Sequence, residues 1–199
     1  MSEFRRRLRA LPDFPDVLPD FDVASAPADP AVLFRQWLEH AISAGVPQPH
    51  ACSLATADAA GNLSSRMLIL KDLDDDGWHF ATGRNSRKGR ELAENPRAAM
   101  NFYWAQLGRQ VRVSGTVVEL SAQASAADWA ARPSADGSAN PDWQLYALRP
   151  TGVEFFQAQH DRRHIRYSCP FSPVDALPIN PGTDDTDTDG SLGGWPAVR

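Results

Sequence analysis

The sequence predicts a small, mainly β domain with flanking helices, an α+β barrel. Three observations carry this. Short apolar runs of strand length recur between turns rich in Asp, Gly and Asn. These strand candidates outnumber the segments with helical periodicity. Hydrophobic residues make up 42% of the 199-residue chain, enough for one buried core plus tails.

The elements follow in order. Residues 1–28 carry Pro12, Pro15, Pro19 and Pro27 among mixed charges and read as an extended arm that packs on the body or on a partner. Asp29 and Pro30 suit an N-cap and a first helical position. Leu33, Trp37 and Ala41 then recur at intervals of four, with Val32 and Ile42 beside them, up to the stop at Gly45, an amphipathic helix. Strands are expected at Ala51 to Thr56, Ser65 to Lys71 and Trp78 to Thr82, separated by turns at Gly61 and Gly77. Ser86 to Asn95 reads as a helix stopped by Pro96. Ala98 to Trp104 and Gln110 to Leu120 read as a strand pair turning at Gly108. Ser121 caps a short helix through Ala131, before Pro133. Gly152 to Gln157 and Ile165 to Ser168 complete the strands. The domain thus spans 29–170. Residues 171–199, with the run Asp184 to Gly190, are low in apolar content and read as a disordered acidic tail.

Composition narrows the function. A net charge of −5 gives no general attraction to nucleic acid or an anionic membrane. The apolar runs, such as Met67 to Leu70, fall far short of the ~20 residues of a membrane helix. No apolar stretch follows Arg5, Arg6, Arg7 and Arg9, so a cytoplasmic protein is expected. The two cysteines, Cys52 and Cys169, have no metal-ligand spacing and suggest no disulfide framework.

Three segments concentrate positive charge. Arg84, Arg87, Lys88 and Arg90 crowd the start of a helix, where the macrodipole disfavours cations. An anion held by free N–H groups with Arg and Lys accounts for that crowding. A solvated basic face paired with Glu91 and Glu94 accounts for it too. In Arg66 to Lys71, alternation puts Arg66, Leu68 and Leu70 on one face and Met67, Ile69 and Lys71 on the other. Each cation needs an anionic partner or an outlet to solvent, and Asp72 or Asp74 is the simple partner for Lys71. The third segment, Arg162-Arg163-His164-Ile165-Arg166, would place Arg162, His164 and Arg166 on one strand face, where an anion could bridge them. A frayed, solvated strand is the other reading.

In order, these segments resemble the pyridoxamine 5'-phosphate oxidase family. The likeness rests on Arg66 to Lys71, Ser86 to Leu92, Asn95-Pro96-Arg97, Gly108 to Val111 and the Arg162-x-His164-x-Arg166 pattern. It implies a split β-barrel homodimer with two FMN sites at the subunit interface. By position, Arg66, Arg87 and Lys88 correspond to FMN phosphate and ribityl contacts. Met67, Leu68, Ile69, Ala81, Thr82, Gln110, Phe156 and Arg166 correspond to further FMN contacts, Ala81 and Thr82 through their backbone. Lys71, Arg132, Arg162 and His164 correspond to substrate contacts, the first two on a substrate phosphate and the last two over the reacting ring. The implied reaction is hydride transfer from C4' of pyridoxine or pyridoxamine 5'-phosphate to FMN, with reoxidation by O2 giving H2O2 and pyridoxal 5'-phosphate. No metal is implied.

The chain departs from that pattern at several points. Asp128 stands where the family expects a tyrosine, and Asp136 where it expects a serine, both on the substrate phosphate. Phe156 replaces a tryptophan. A helical segment between Arg132 and Trp143, with a Gln-Ser pair that touches FMN, is nearly absent, and the last strand is cut short at Pro170. The phenazine-biosynthesis oxidases, on a bulkier aromatic substrate, are therefore an alternative. A deazaflavin reductase fits less well with the Arg-Lys helix start. A non-enzymatic split-barrel binder of flavin or haem is a further alternative.

Overall fold

The structure is a computed structural model that describes residues 1–133 and 136–170. The expected acidic tail, 171–199, lies outside the described residues. The arm holds a helix, α1 (Glu3–Arg9), capped by Ser2 and exposed throughout, where the sequence reading had extended chain. Three residues in it follow one another as Arg5, Arg6 and Arg7, good helix formers that no proline interrupts before Pro12. The rest of the arm does pack on the body: Phe21 meets Trp37 edge-on at 5.0 Å.

The long helix α2 (Pro30–Ser43) starts as read, with the Asp29 carboxylate accepting from the Ala31 N–H. Leu33, Trp37 and Ala41 form the buried stripe that the spacing predicted, but Phe34 joins it from the next position while Val32 and Ile42 face solvent. Phe34 sits at the centre of the core, 4.8 Å from the Phe102 ring and 5.7 Å from Trp78.

Eight strands form one antiparallel sheet: β1 (Ala51–Ala57), β2 (Leu63–Ile69), β3 (Asp72–Asp74), β4 (Gly77–Gly83), β5 (Arg97–Trp104), β6 (Arg109–Glu119), β7 (Trp143–Gln157) and β8 (Ile165–Pro170). The order is β2-β1-β5-β6-β7-β4-β3, with β8 paired to β7. The outer strands β2 and β3 are joined by only Leu70 and Lys71. Their N–H groups donate to the His50 and His79 carbonyls at 2.8 Å each, which curls the sheet into a barrel. Helices α3 (Arg87–Glu94) and α4 (Ala122–Ala130) flank it.

Three strands differ from the sequence reading. β2 runs Leu63–Ile69, so Lys71, read as its last residue on the Met67 face, lies in the connection to β3. β3 is too short to show periodicity. β7 begins nine residues before Gly152, at Trp143. Pro150, which reads as a strand breaker, is accommodated at a register shift: Ser114 pairs with Gly152 and Gly115 with Pro150, leaving Thr151 unpaired. The family-like split barrel is thus present, mainly β with four flanking helices among the described residues.

Candidate functional site

Helix α3 begins where β4 ends. The Ser86 hydroxyl caps it, accepting from the Gly89 N–H at 3.1 Å. Gly89 is required there: a Cβ would collide with the Arg84 carbonyl oxygen and lie 2.6 Å from that of Gly83. The helix start is therefore pressed against the β4 end, with its cations held over the barrel rim.

One buried carboxylate organises these cations. Glu91 accepts from Ser64 Oγ at 2.6 Å, Thr56 Oγ1 at 2.5 Å, Arg87 Nε at 2.7 Å and Arg66 Nη2 at 3.2 Å. The hydroxyl hydrogen bonds of Ser64 and Thr56, then those of Arg87 and Arg66, push its carboxyl down to about 2. Arg66 and Arg87, on different elements, are thereby drawn to one point. Lys88 stands beside them, half-buried and with no ion-pair partner among the described residues. Desolvation, and then the charge of Arg66, hold its amine below the usual range. A partly desolvated cation next to another cation at a helix N-terminus lacks compensation, and a phosphate group would supply it. The residues present therefore fit the phosphate end of FMN.

Ala81 and Thr82 lie at the β4 end, paired on one side with Leu145 and Gln144 of β7. On the other side β3 reaches only as far as His79, so that backbone edge has no strand partner among the described residues. Free N–H and C=O groups there can take a heterocycle's polar edge. The Thr82 hydroxyl lies 3.1 Å from that of Ser86, tying the edge to the helix cap.

A second group occupies the far end of β7. Gln110, Phe156 and Arg166 are cross-strand neighbours on β6, β7 and β8. Gln110 Nε2 donates to Asn101 Oδ1 at 2.7 Å, and the Arg166 guanidinium lies 5.1 Å over the Phe156 ring. His164 packs on Phe156 at 5.2 Å and accepts the Gln159 N–H at Nδ1. Arg162 is not on the strand face that alternation predicted. It lies in the turn before β8, at φ 63, and pairs with Asp13 of the arm. The Asp161 carboxylate accepts the Arg163 N–H and forms that turn, which the sequence reading of a strand had missed.

No hydrogen bond, ion pair or ring contact joins this group to the Arg66–Lys88 group among the described residues. Gln144 and Phe156 are twelve positions apart on β7, with the register shift at Pro150 between them. Whereas Arg66 alternates with Met67 on β2 and points with Leu68 to the other side, the second group lies on the outer sheet face. Cross-strand register places Met67, Asn101, Arg112 and Glu154 on it, with Ile69, Tyr103, Gln110 and Phe156 two residues away. Leu63, Met67, Ile69 and Tyr103 are all exposed there. Leu68 points the other way and packs against the core, so its backbone alone could meet a ligand.

Lys71 and Arg132 meet at a third place. Lys71 Nζ pairs with Asp128 Oδ1 at 3.2 Å, and Asp128 Oδ2 accepts from Trp143 Nε1 at 2.8 Å. The Arg132 guanidinium lies 4.8 Å over the Trp129 ring and 4.4 Å over Trp143. Trp143 is paired with Gly83 at the β4 end, so this cluster adjoins the α3 start. Asp136 turns to Ser138 instead, accepting its backbone N–H at 2.9 Å.

Comparison with known proteins decides the ancestry of this arrangement. The family profile described as "Pyridoxamine 5'-phosphate oxidase" matches residues 38–157. The chain belongs to the pyridoxamine 5'-phosphate oxidase family. A pyridoxine/pyridoxamine 5'-phosphate oxidase of Cupriavidus taiwanensis is 37% identical over 215 residues, covering 92% of each chain. One from Pseudomonas paraeruginosa is 44% identical over 154 residues, 74% of this chain and 71% of that one. Among solved structures, PhzG from Burkholderia lata, in complex with tetrahydrophenazine-1-carboxylic acid, superposes with a TM-score of 0.70. It shares 29% identity over 76% of this chain and 92% of its own. A pyridoxamine 5'-phosphate oxidase-related, FMN-binding protein of Nostoc punctiforme shares the fold at a TM-score of 0.54 and 16% identity, over 68% of this chain and 95% of its own.

Within the oxidase-family frame, sequence reasoning missed Glu91 as the organiser and took it only as a surface partner. The signal was present in the i,i+4 pair Arg87 and Glu91, but Thr56 and Ser64 are remote in sequence and gave none. It also missed the Trp129–Trp143 pair, whose rings lie 5.4 Å apart.

Proposed function

We propose that the protein is a homodimeric FMN-dependent oxidase with two flavin sites between subunits. The observation that carries this is Lys88, partly desolvated and uncompensated beside Arg66 at the start of α3. Arg66, Arg87 and Lys88 would hold the FMN phosphate, with Glu91 fixing the two arginines. The free edge at Ala81 and Thr82 would meet the flavin ring system. Gln110, Phe156 and Arg166 make no contact with the Arg66–Lys88 group within one chain among the described residues, and a second copy would bring them to the same ligand. Its docking surface is the outer face with Leu63, Met67, Ile69 and Tyr103, large exposed apolar groups that a partner would cover.

FMN, held by Arg66, Arg87 and Lys88, would supply the redox chemistry, a two-electron oxidation of the substrate with O2 as final acceptor and H2O2 as product. The protein's residues bind and orient. Arg162 and His164 lie in the loop before β8, His164 against Phe156, and would contact the substrate ring once Arg162 leaves Asp13. The names of the relatives favour pyridoxine or pyridoxamine 5'-phosphate as substrate and pyridoxal 5'-phosphate as product. A second reading, a larger aromatic substrate, is favoured by the likeness to PhzG and by the ion pair that already engages Lys71.

The test is spectroscopic. Purified protein is loaded with FMN and mixed without oxygen with pyridoxamine 5'-phosphate. Bleaching that reverses in air supports the oxidase and that substrate. A flavin band that never bleaches with this or with bulkier aromatic donors contradicts the oxidase reading.

A further inference from the structure

We infer that Asp128 sets substrate choice, and that the pocket beside the flavin takes a planar aromatic molecule with no phosphate ester and at most one negative charge. The inference rests on the flavin-oxidase reading for the position of the pocket. Its basis is the state of the two cations next to the α3 start. Lys71 is engaged by Asp128 at 3.2 Å, and both side chains are largely shielded, at 26% and 14% exposure. The ion pair is therefore screened less than one on an open surface. Asp128 is itself fixed, since its other oxygen accepts the Trp143 indole N–H at 2.8 Å. A phosphate dianion arriving here would have to displace a positioned carboxylate from Lys71 and then sit beside that carboxylate.

Arg132 keeps its charge but offers a different surface. Its guanidinium lies over both Trp129 and Trp143, a cation–π contact that holds the charge while its N–H groups can still meet an acceptor such as a carboxylate. The same tryptophans line a groove of about 560 Å³ with Arg84, Ser138, Asn140 and Gln144. Arg84 reaches this groove from the β4–α3 turn and donates to Gln144 Oε1, so the groove adjoins the turn that leads into α3. An apolar, aromatic-walled groove with Arg84 in its wall, and with Arg132 and the Lys71–Asp128 pair held against its tryptophans rather than lining it, suits a flat ring system carrying a single negative charge.

The experiment measures pyridoxine 5'-phosphate and pyridoxine binding to the FMN-supplemented full chain by equilibrium dialysis, which needs no flavin signal. The wild type should bind the two within about threefold of each other. Asp128→Asn keeps an acceptor for Trp143 and frees Lys71. It should tighten pyridoxine 5'-phosphate at least about tenfold, the scale of one charge-assisted contact, with pyridoxine unchanged. Adding Lys71→Met should erase the gain, whereas Lys71→Met alone should change neither ligand. Thermal melting checks that each variant is folded. A wild-type preference of about tenfold or more for the phosphate ester, lost in Lys71→Met, would overturn the inference. So would a folded Asp128→Asn with no gain. FMN titration of the same samples stands apart: a chain that takes no flavin would sink the oxidase reading and leave the dialysis result to judge Asp128.

Discussion

Replacing Glu91 with glutamine removes one charge and little else, so it isolates what the buried carboxylate does. In the folded protein its carboxyl is pushed down to about 2 from an ordinary 4.5, first by the Ser64 and Thr56 hydroxyls and then by Arg87 and Arg66. That drop corresponds to ~3 kcal/mol of preference for the ionised form. Arg87 is 67% exposed, so water screens part of it, and ~1–2 kcal/mol of lost stability at pH 7 is the expected effect. The pH dependence has a definite sign. A depressed folded pKa stabilises fully above the unfolded value of 4.5, and that contribution disappears as pH falls toward 2. Urea unfolding of the flavin-free wild type and Glu91→Gln should therefore differ at pH 7 and converge between pH 4.5 and 2. FMN affinity should fall as well, because Arg66 and Arg87 lose the group that gathers them. Equal stabilities at pH 7, or a gap that stays constant into acid, would refute this account of the cluster.

Other substitutions probe single contacts. Lys88→Ala should weaken FMN binding about 10- to 100-fold in a fluorescence-quenching titration, the worth of one charge-assisted contact; unchanged affinity would remove Lys88 from the site. Gly89→Ala should lower stability by ~1–3 kcal/mol in thermal or urea melts, since its Cβ has no room against the Arg84 and Gly83 carbonyls. A neutral result would mean that the α3 start can move away from β4. Arg162→Ala should retain flavin yet lose turnover, read from absorbance and peroxide release on one sample; loss of flavin would put Arg162 in the cofactor site instead.

Much of this was legible in the sequence because its signals are local. The α2 stripe, the Ser86 and Ser121 caps and most strands follow from spacing over a few residues. The basic crowd at Arg87 and Lys88 was legible for the same reason. What stayed hidden depends on contacts between distant segments. Glu91 meets Thr56 and Ser64 from across the barrel. Lys71 finds Asp128 rather than the adjacent Asp72 or Asp74, which are engaged elsewhere, Asp72 by the Leu73 N–H and Asp74 by the Asp76 N–H and His79. The first half of β7 was masked by Pro150, which a bulge accommodates. Arg162 looked like a strand residue, but its backbone enters a left-handed turn and its side chain goes to the arm.

The central claim is a flavin site shared by two copies, and native mass spectrometry of the FMN-loaded protein tests it most directly. The account predicts a dimer carrying two FMN molecules, with flavin lost as the dimer is split by Met67→Glu on the outer face. A monomer that holds FMN with undiminished affinity, or a chain that binds none, would contradict it.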